Sequence, residues 1–168
     1  VRADHLSLYG YQRETTPELA HFVESRKNAV LYPRAYANGT WVVISNGMSP
    51  NVIFTSTDGI TWTNRVTPSF GPMHANGMAA GDDFGLVLVG SGGAIRRSPD
   101  GTTWSAVASP TTADLSDIAF AAGRFVAAGN GVLITSADGG ATWATITPPI
   151  SHDIWRVRYI NGEFVTCG

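Results

Sequence analysis

Ser136-Ala137-Asp138-Gly139-Gly140-Ala141-Thr142-Trp143 has two shorter relatives in the same chain, Ser56-Thr57-Asp58-Gly59-Ile60-Thr61-Trp62 and Ser98-Pro99-Asp100-Gly101-Thr102-Thr103-Trp104. The copies recur at intervals of about 40 residues, a spacing that marks repeat architectures. Each follows a β-branched or apolar run and ends in tryptophan. Asp-Gly between two such runs is a strong hairpin signal. The glycine accepts positive φ without a Cβ clash. The aspartate carboxylate and the serine hydroxyl can accept hydrogen bonds from backbone N–H groups of their own turn. The tryptophan then opens the outgoing strand and offers a large apolar face to a neighbouring unit. This turn chemistry is self-contained and requires no ligand.

The pattern Ser/Thr-x-Asp-x-Gly-x-Thr-Trp resembles the Asp box, also called the BNR repeat. The third copy matches it in full, and the first two lack one residue between Asp and Thr, which implies tighter turns. Asp boxes occur in β-propellers, among them sialidases, sortilin-type receptors and photosystem II assembly factor-like proteins. The resemblance implies a structural role for Ser56, Asp58, Gly59, Trp62, Ser98, Asp100, Gly101, Trp104, Ser136, Asp138, Gly140 and Trp143. Paired glycosidase carboxylates must face each other across a bond, whereas carboxylates repeated once per unit around a rim do not.

Composition narrows the function classes. At 168 residues the chain can bury one sizeable core. Charged residues make up 14%, well below the ~25% of an average domain. A net charge of −2 gives no electrostatic case for nucleic acid or an anionic membrane. The single cysteine, Cys167, excludes an intrachain disulfide and a cysteine-based metal site. No apolar run approaches the ~20 residues of a membrane helix.

Residues 1–28 differ from the rest. Asp4 to Arg13 reads as an extended arm. Thr15-Thr16-Pro17-Glu18 supplies a cap, a first-turn proline and an acid near the helix N-terminus. Leu19, Phe22 and Val23 fall on one face, so a short helix is expected over 16–27. Its roles are a linker helix or a docking element for a larger assembly.

A second repeated signature begins beyond residue 29. Tyr36-Ala37-Asn38-Gly39-Thr40-Trp41, Phe120-Ala121-Ala122-Gly123-Arg124-Phe125 and Tyr159-Ile160-Asn161-Gly162-Glu163-Phe164 are copies of a tight hairpin. Met78 to Val87 is a degenerate copy with a longer turn. Each unit therefore has four strands, A to D. In the first they are expected at 30–37, 40–45, 51–56 and 61–67. The units span about 29–67, 74–108 and 116–147, with a partial fourth over 154–168. The expected fold class is all-β, a β-propeller of four-stranded antiparallel blades. Three and a half blades would leave an exposed strand edge, so the chain is expected to be a fragment of a larger propeller, with closure by residues 1–28 as the alternative.

The A–B and C–D turns fall at one end of such a blade, and the B–C loops and D–A crossovers at the other. Loops held by a rigid scaffold carry most binding function. The candidate ligand-binding residues at that second end are Asn46, Met48, Phe70, His74, Ser91, Asn130, His152 and Asp153. Gly90-Ser91-Gly92-Gly93 precedes a strand and not a helix, so it is not a phosphate loop. His74 and His152 lack the further ligands a metal needs. Asp153 and His152 are adjacent on an extended segment and point to opposite faces. No catalytic residue, metal or cofactor is assigned.

The resemblance brings sialidases into view. In that family an arginine lies in a Phe/Tyr-Arg-Ile-Pro motif, whereas here Leu31-Tyr32-Pro33-Arg34 reverses the order. Arg34, Arg156 and Arg158 lie on strand A, and Arg34 and Arg158 are read as equivalent repeat positions. The favoured reading is a non-catalytic binding or scaffold module on a virion, such as a phage tail or receptor-binding component, or on a bacterial surface. Its partner would be a glycan or a protein, with further subunits meeting residues 1–28. No nucleic acid or membrane insertion is expected. The alternatives are a fragment of a sialidase-like glycoside hydrolase and an assembly factor binding a protein partner.

Overall fold

A computed structural model describes residues 30–46, 52–65, 74–81, 83–147 and 152–168. The arm and helix expected within 1–28 lie outside these residues. The first sheet is built from β1 (Val30–Ala37), β2 (Thr40–Asn46), β3 (Val52–Ser56) and β4 (Thr63–Arg65), hydrogen-bonded in chain order. The second repeats this with β5 (Ala75–Gly81), β6 (Gly85–Gly90), β7 (Ile95–Ser98) and β8 (Ser105–Val107). The third contains β9 (Leu115–Ala121), β10 (Arg124–Gly129), β11 (Val132–Ser136) and β12 (Ala144–Ile146). β13 (Arg156–Ile160) and β14 (Glu163–Cys167) form a two-stranded sheet. All pairings are antiparallel, and β1, β5, β9 and β13 lie side by side. This is the radial stacking of propeller blades. No helix among the described residues is long and apolar enough to cross a membrane.

The second strand of each blade explains the packing. Gly85-Leu86-Val87-Leu88-Val89-Gly90 is apolar throughout because both of its faces are buried. Leu86 and Leu88 join Val42, Ile44, Ile53, Met78 and Trp104 between the first and second blades. Val87 and Val89 point the other way, to Leu115, Ile118, Phe125, Ala127 and Ile134 of the third. Val126 and Ala128 then meet Ile154 and Val157 of the last sheet. Each large aliphatic side chain so buried contributes about 1.5–3 kcal/mol.

Both kinds of hairpin follow their sequence. Asn38/Gly39, Ala122/Gly123 and Asn161/Gly162 all have positive φ, the requirement of a type I′ turn. In the C–D turns the Ser56 hydroxyl donates to Asp58 Oδ1 at 2.8 Å and accepts the Gly59 N–H at 2.8 Å. Asp58 Oδ1 also accepts the N–H groups of Ile60 and Thr61. Ser98, Asp100 and Gly101 repeat this arrangement, with Thr102 and Thr103 as donors. In the third turn the inserted Gly139 moves the serine contact to the Gly140 N–H, and Ala141 and Thr142 donate to Asp138. The first two turns are thus one residue tighter, as the spacing implies.

These donors hold the carboxylates ionised. The backbone N–H groups of Ile60 and Thr61, then the Ser56 hydroxyl, keep Asp58 well below the usual carboxylate range. The Thr142 hydroxyl and N–H, with the Ser136 hydroxyl, do so for Asp138. At Asp100, burial raises the value, but the N–H groups of Thr103 and Thr102 outweigh it and bring it to about 2. Local sequence did not reveal the tryptophan contacts. Trp104 Nε1 donates to the Gly101 carbonyl and Trp143 Nε1 to that of Gly140, both at 3.1 Å. Trp62 Nε1 is buried with no partner among the described residues.

Three expectations are corrected. In the first blade strand D begins at Thr63 and not at residue 61, since the turn's hydrogen bonds occupy the backbone up to Thr61. Asn46 was expected in a loop but ends β2, paired with Val30, and Gly90 and Gly129 likewise end β6 and β10. Arg34 and Arg158 are not equivalent positions. Tyr36 pairs with Trp41 and Tyr159 with Phe164, which aligns Arg34 with Val157 and Arg158 with Ala35.

Candidate functional site

The described residues of the B–C turns and D–A crossovers lie at the end of the blades opposite the Ser-x-Asp turns. Backbone pairing draws two of the sequence candidates together. His74 N–H donates to the Ser91 hydroxyl at 2.8 Å, and Ser91 N–H returns a bond to the His74 carbonyl at 3.0 Å. Ser91 to Gly93 form a single 3₁₀ turn, in which Gly92 N–H donates to Asp114 Oδ1 at 2.6 Å. Asn130 N–H donates to the Asp114 carbonyl at 3.0 Å, and Ile154 N–H to the Gly129 carbonyl at 3.0 Å. Among the described residues, His74 and Asp114 are therefore tied to B–C turns, and Ile154 to the end of β10.

The remaining candidates are dispersed. His74, Asn130, His152 and Asp153 are exposed, and Ser91 is half-buried. Asn46 sits at the end of β2, and Met48 and Phe70 lie outside the described residues. Among the described residues no three His, Cys, Asp or Glu side chains converge to hold a metal ion.

The first strands are clamped to one another near this end. Asn76 Nδ2 donates to the Leu115 carbonyl at 2.9 Å. Asp117 Oδ2 accepts the Val157 N–H at 3.1 Å and pairs with Arg158 at 2.7 Å. Arg158, placed on strand A from the sequence, is thereby engaged with Asp117.

Sequence reading missed Trp155. Its ring is 65% exposed, the most of any large hydrophobic side chain among the described residues. Its N–H donates to the Cys167 carbonyl at 2.8 Å, so its backbone is fixed while the ring faces water. The strand register offers the missed signal. Trp155 stands immediately before the fourth A strand, at the place where the second and third blades carry the polar Asn76 and Ser116.

No family model matches the chain, and no curated protein matches it. Solved structures do. YCF48 bound to D1 peptide superposes with a TM-score of 0.58 at 14% identity, over 79% of this chain and 44% of that one. YCF48 from Cyanidioschyzon merolae gives 0.58 at 18% identity, over 81% and 47%. The WD40 β-propeller domain of Doa1 gives 0.57 at 12% identity, over 83% and 48%. The chain spans less than half the length of each of these structures. The shared feature is the fold, and the blades described here are those of a partial β-propeller.

Proposed function

We propose that this chain is a non-catalytic propeller module that binds a segment of another protein at the end carrying its B–C turns and D–A crossovers. The observation that carries this reading is Trp155, a mostly exposed ring beside the exposed His152 and Asp153. Exposed aromatic rings on a fixed backbone are the anchors that protein interfaces bury. Polar groups that a glycan would use are partly spent on the fold itself, as at Ser91 with His74 and Gly92 with Asp114. Likeness to a propeller solved with a bound peptide supports a protein partner over a sugar, and with it the assembly-factor alternative. The serine–aspartate turns support placing the chain among Asp-box repeats. A virion or cell-surface setting, drawn from the low charge and the polar loops, completes the proposal and is read by fractionating the native source.

The test compares the unaltered chain with Trp155→Ala in capture from the native source, beside a panel of glycans. Capture of a protein that Trp155→Ala abolishes is the expected result. Glycan binding that survives Trp155→Ala, with no protein captured, would overturn the reading.

A further inference from the structure

Four Asn-Gly pairs lie wholly within the described residues: Asn38-Gly39, Asn76-Gly77, Asn130-Gly131 and Asn161-Gly162. Each sets a side-chain amide beside a backbone nitrogen that no Cβ screens. That nitrogen, on losing its proton, can attack the asparagine Cγ. The bond from Cγ to the amide nitrogen breaks, ammonia leaves with the proton, and a cyclic imide remains. Water then opens either imide bond, giving aspartate or isoaspartate. The net change turns an amide and a water into a carboxylic acid and an ammonia, and no electrons are transferred.

The fold treats the four pairs differently. Asn76 lies inside β5, its Nδ2 bonded to the Leu115 carbonyl at 2.9 Å. Gly77 is paired with Val89, and a Cβ on it would lie 2.9 Å from Asp117 Cα, so the main chain there has no room to close a ring. Asn38 stands in an open turn, yet its Nδ2 is bonded to the Pro99 carbonyl of the next blade at 3.1 Å. Asn161 holds the same turn position, with φ 52° against 49°, and its amide has no such bond among the described residues. Asn130 stands with Gly131 between the paired Gly129 and Val132. Among the described residues only its backbone N–H is bonded, to the Asp114 carbonyl at 3.0 Å. Both asparagines are exposed, and nothing lies within 4 Å of the Cβ position at Gly131 or Gly162.

We infer that Asn130 and Asn161 are sites of spontaneous conversion to aspartate and isoaspartate, and that the fold keeps Asn38 and Asn76 intact. At Asn130 the change reaches beyond the turn. Isoaspartate adds a methylene to the main chain, which a two-residue turn cannot absorb while Gly129 stays opposite Val132. The same turn holds the Asp114 carbonyl through Asn130 N–H, and Ile154 N–H through the Gly129 carbonyl. Ile154 directly precedes Trp155. Conversion thus places a new negative charge and a loosened backbone beside the exposed tryptophan, and it needs no partner to occur.

The test holds the folded chain in mildly alkaline buffer and follows each asparagine by peptide mass spectrometry. An isoaspartyl methyltransferase with labelled S-adenosylmethionine is the probe for isoaspartate. Asn130 and Asn161 should each convert at least about fivefold faster than Asn38, the factor that a hydrogen bond of ordinary net strength holds back. Asn76 should stay intact over the same interval. In guanidinium-unfolded chain the four rates should converge. Asn38 converting as fast as Asn130 or Asn161 in the folded chain would overturn the inference, as would an Asn130 or Asn161 as inert as Asn76. So would the same ranking in the unfolded chain, since sequence and not fold would then be its cause.

Discussion

Gly101 of the second blade lies directly against Val42 of the first: at φ +75°, a Cβ there would sit 2.4 Å from Val42 Cγ2. The turn is therefore both a local hairpin and part of the blade–blade contact. Gly101→Ala should destabilise the chain by about 2–4 kcal/mol, combining a left-handed alanine with an overpacked neighbour. Gly39 has a similar φ, but nothing lies within 4 Å of its Cβ position. Gly39→Ala should cost only the conformational part, about 1–2 kcal/mol. Urea unfolding of the two variants checks this. Equal losses would mean that the Val42 contact is unimportant.

The turn carboxylates predict acid sensitivity. Asp100 is lowered from an ordinary 3.8 to about 2, and Asp58 and Asp138 lie lower still. A depressed value means that the folded state favours the ionised form. The stabilisation is complete above the unfolded value, near pH 4, and fades as pH falls through the folded values. Unfolding midpoints measured from pH 6 downward should decline below about pH 4. Replacing Asp58, Asp100 and Asp138 together by Asn should lower stability at pH 6 and flatten that decline. An unchanged slope in the triple variant would place the acid response elsewhere.

What could be read from the sequence was local. Ser56, Asp58 and Gly59 bond within three residues, so their pattern reveals their turn. Asn38 and Gly39 likewise announce their hairpin through the φ values they tolerate. Long-range contacts were not legible in this way. Asn38 donates to the Pro99 carbonyl across 61 positions, and Asp117 meets Arg158 across 41. Arg158 was legible only as a strand A arginine, and its partner Asp117 became visible only with the fold. Trp155 went unnoticed because a tryptophan at the head of a strand is ordinarily core, and only the packing leaves this one exposed.

Ala122 holds φ +50° at a turn position that the other two type I′ hairpins give to asparagine, Asn38 and Asn161. Alanine gains nothing in that conformation, whereas asparagine tolerates it. Ala122→Asn should therefore stabilise the chain by about 0.5–1 kcal/mol, raising the thermal midpoint by roughly 1–4 °C for a chain of this size. Ala122 is exposed, so no packing is altered. Calorimetry that finds no rise would show the turn to be unstrained.

Asp117 couples the third blade to the last hairpin through two contacts of unequal weight. Its partner Arg158 keeps 44% of its side chain exposed, and such an ion pair contributes at most about 1 kcal/mol. The other partner is the N–H of Val157, a fully buried residue, and stripping that donor of its acceptor costs about 1–3 kcal/mol. Asp117→Ala removes both contacts and should be clearly the most damaging change. Arg158→Ala and Asp117→Asn should each cost less, because the first leaves the carboxylate on Val157 and the second leaves an amide oxygen there. Hydrogen exchange at the Val157 amide should accelerate in Asp117→Ala and stay slow in Arg158→Ala. If Arg158→Ala costs as much as Asp117→Ala and frees that amide equally, the clamp is electrostatic after all, and salt should then weaken it.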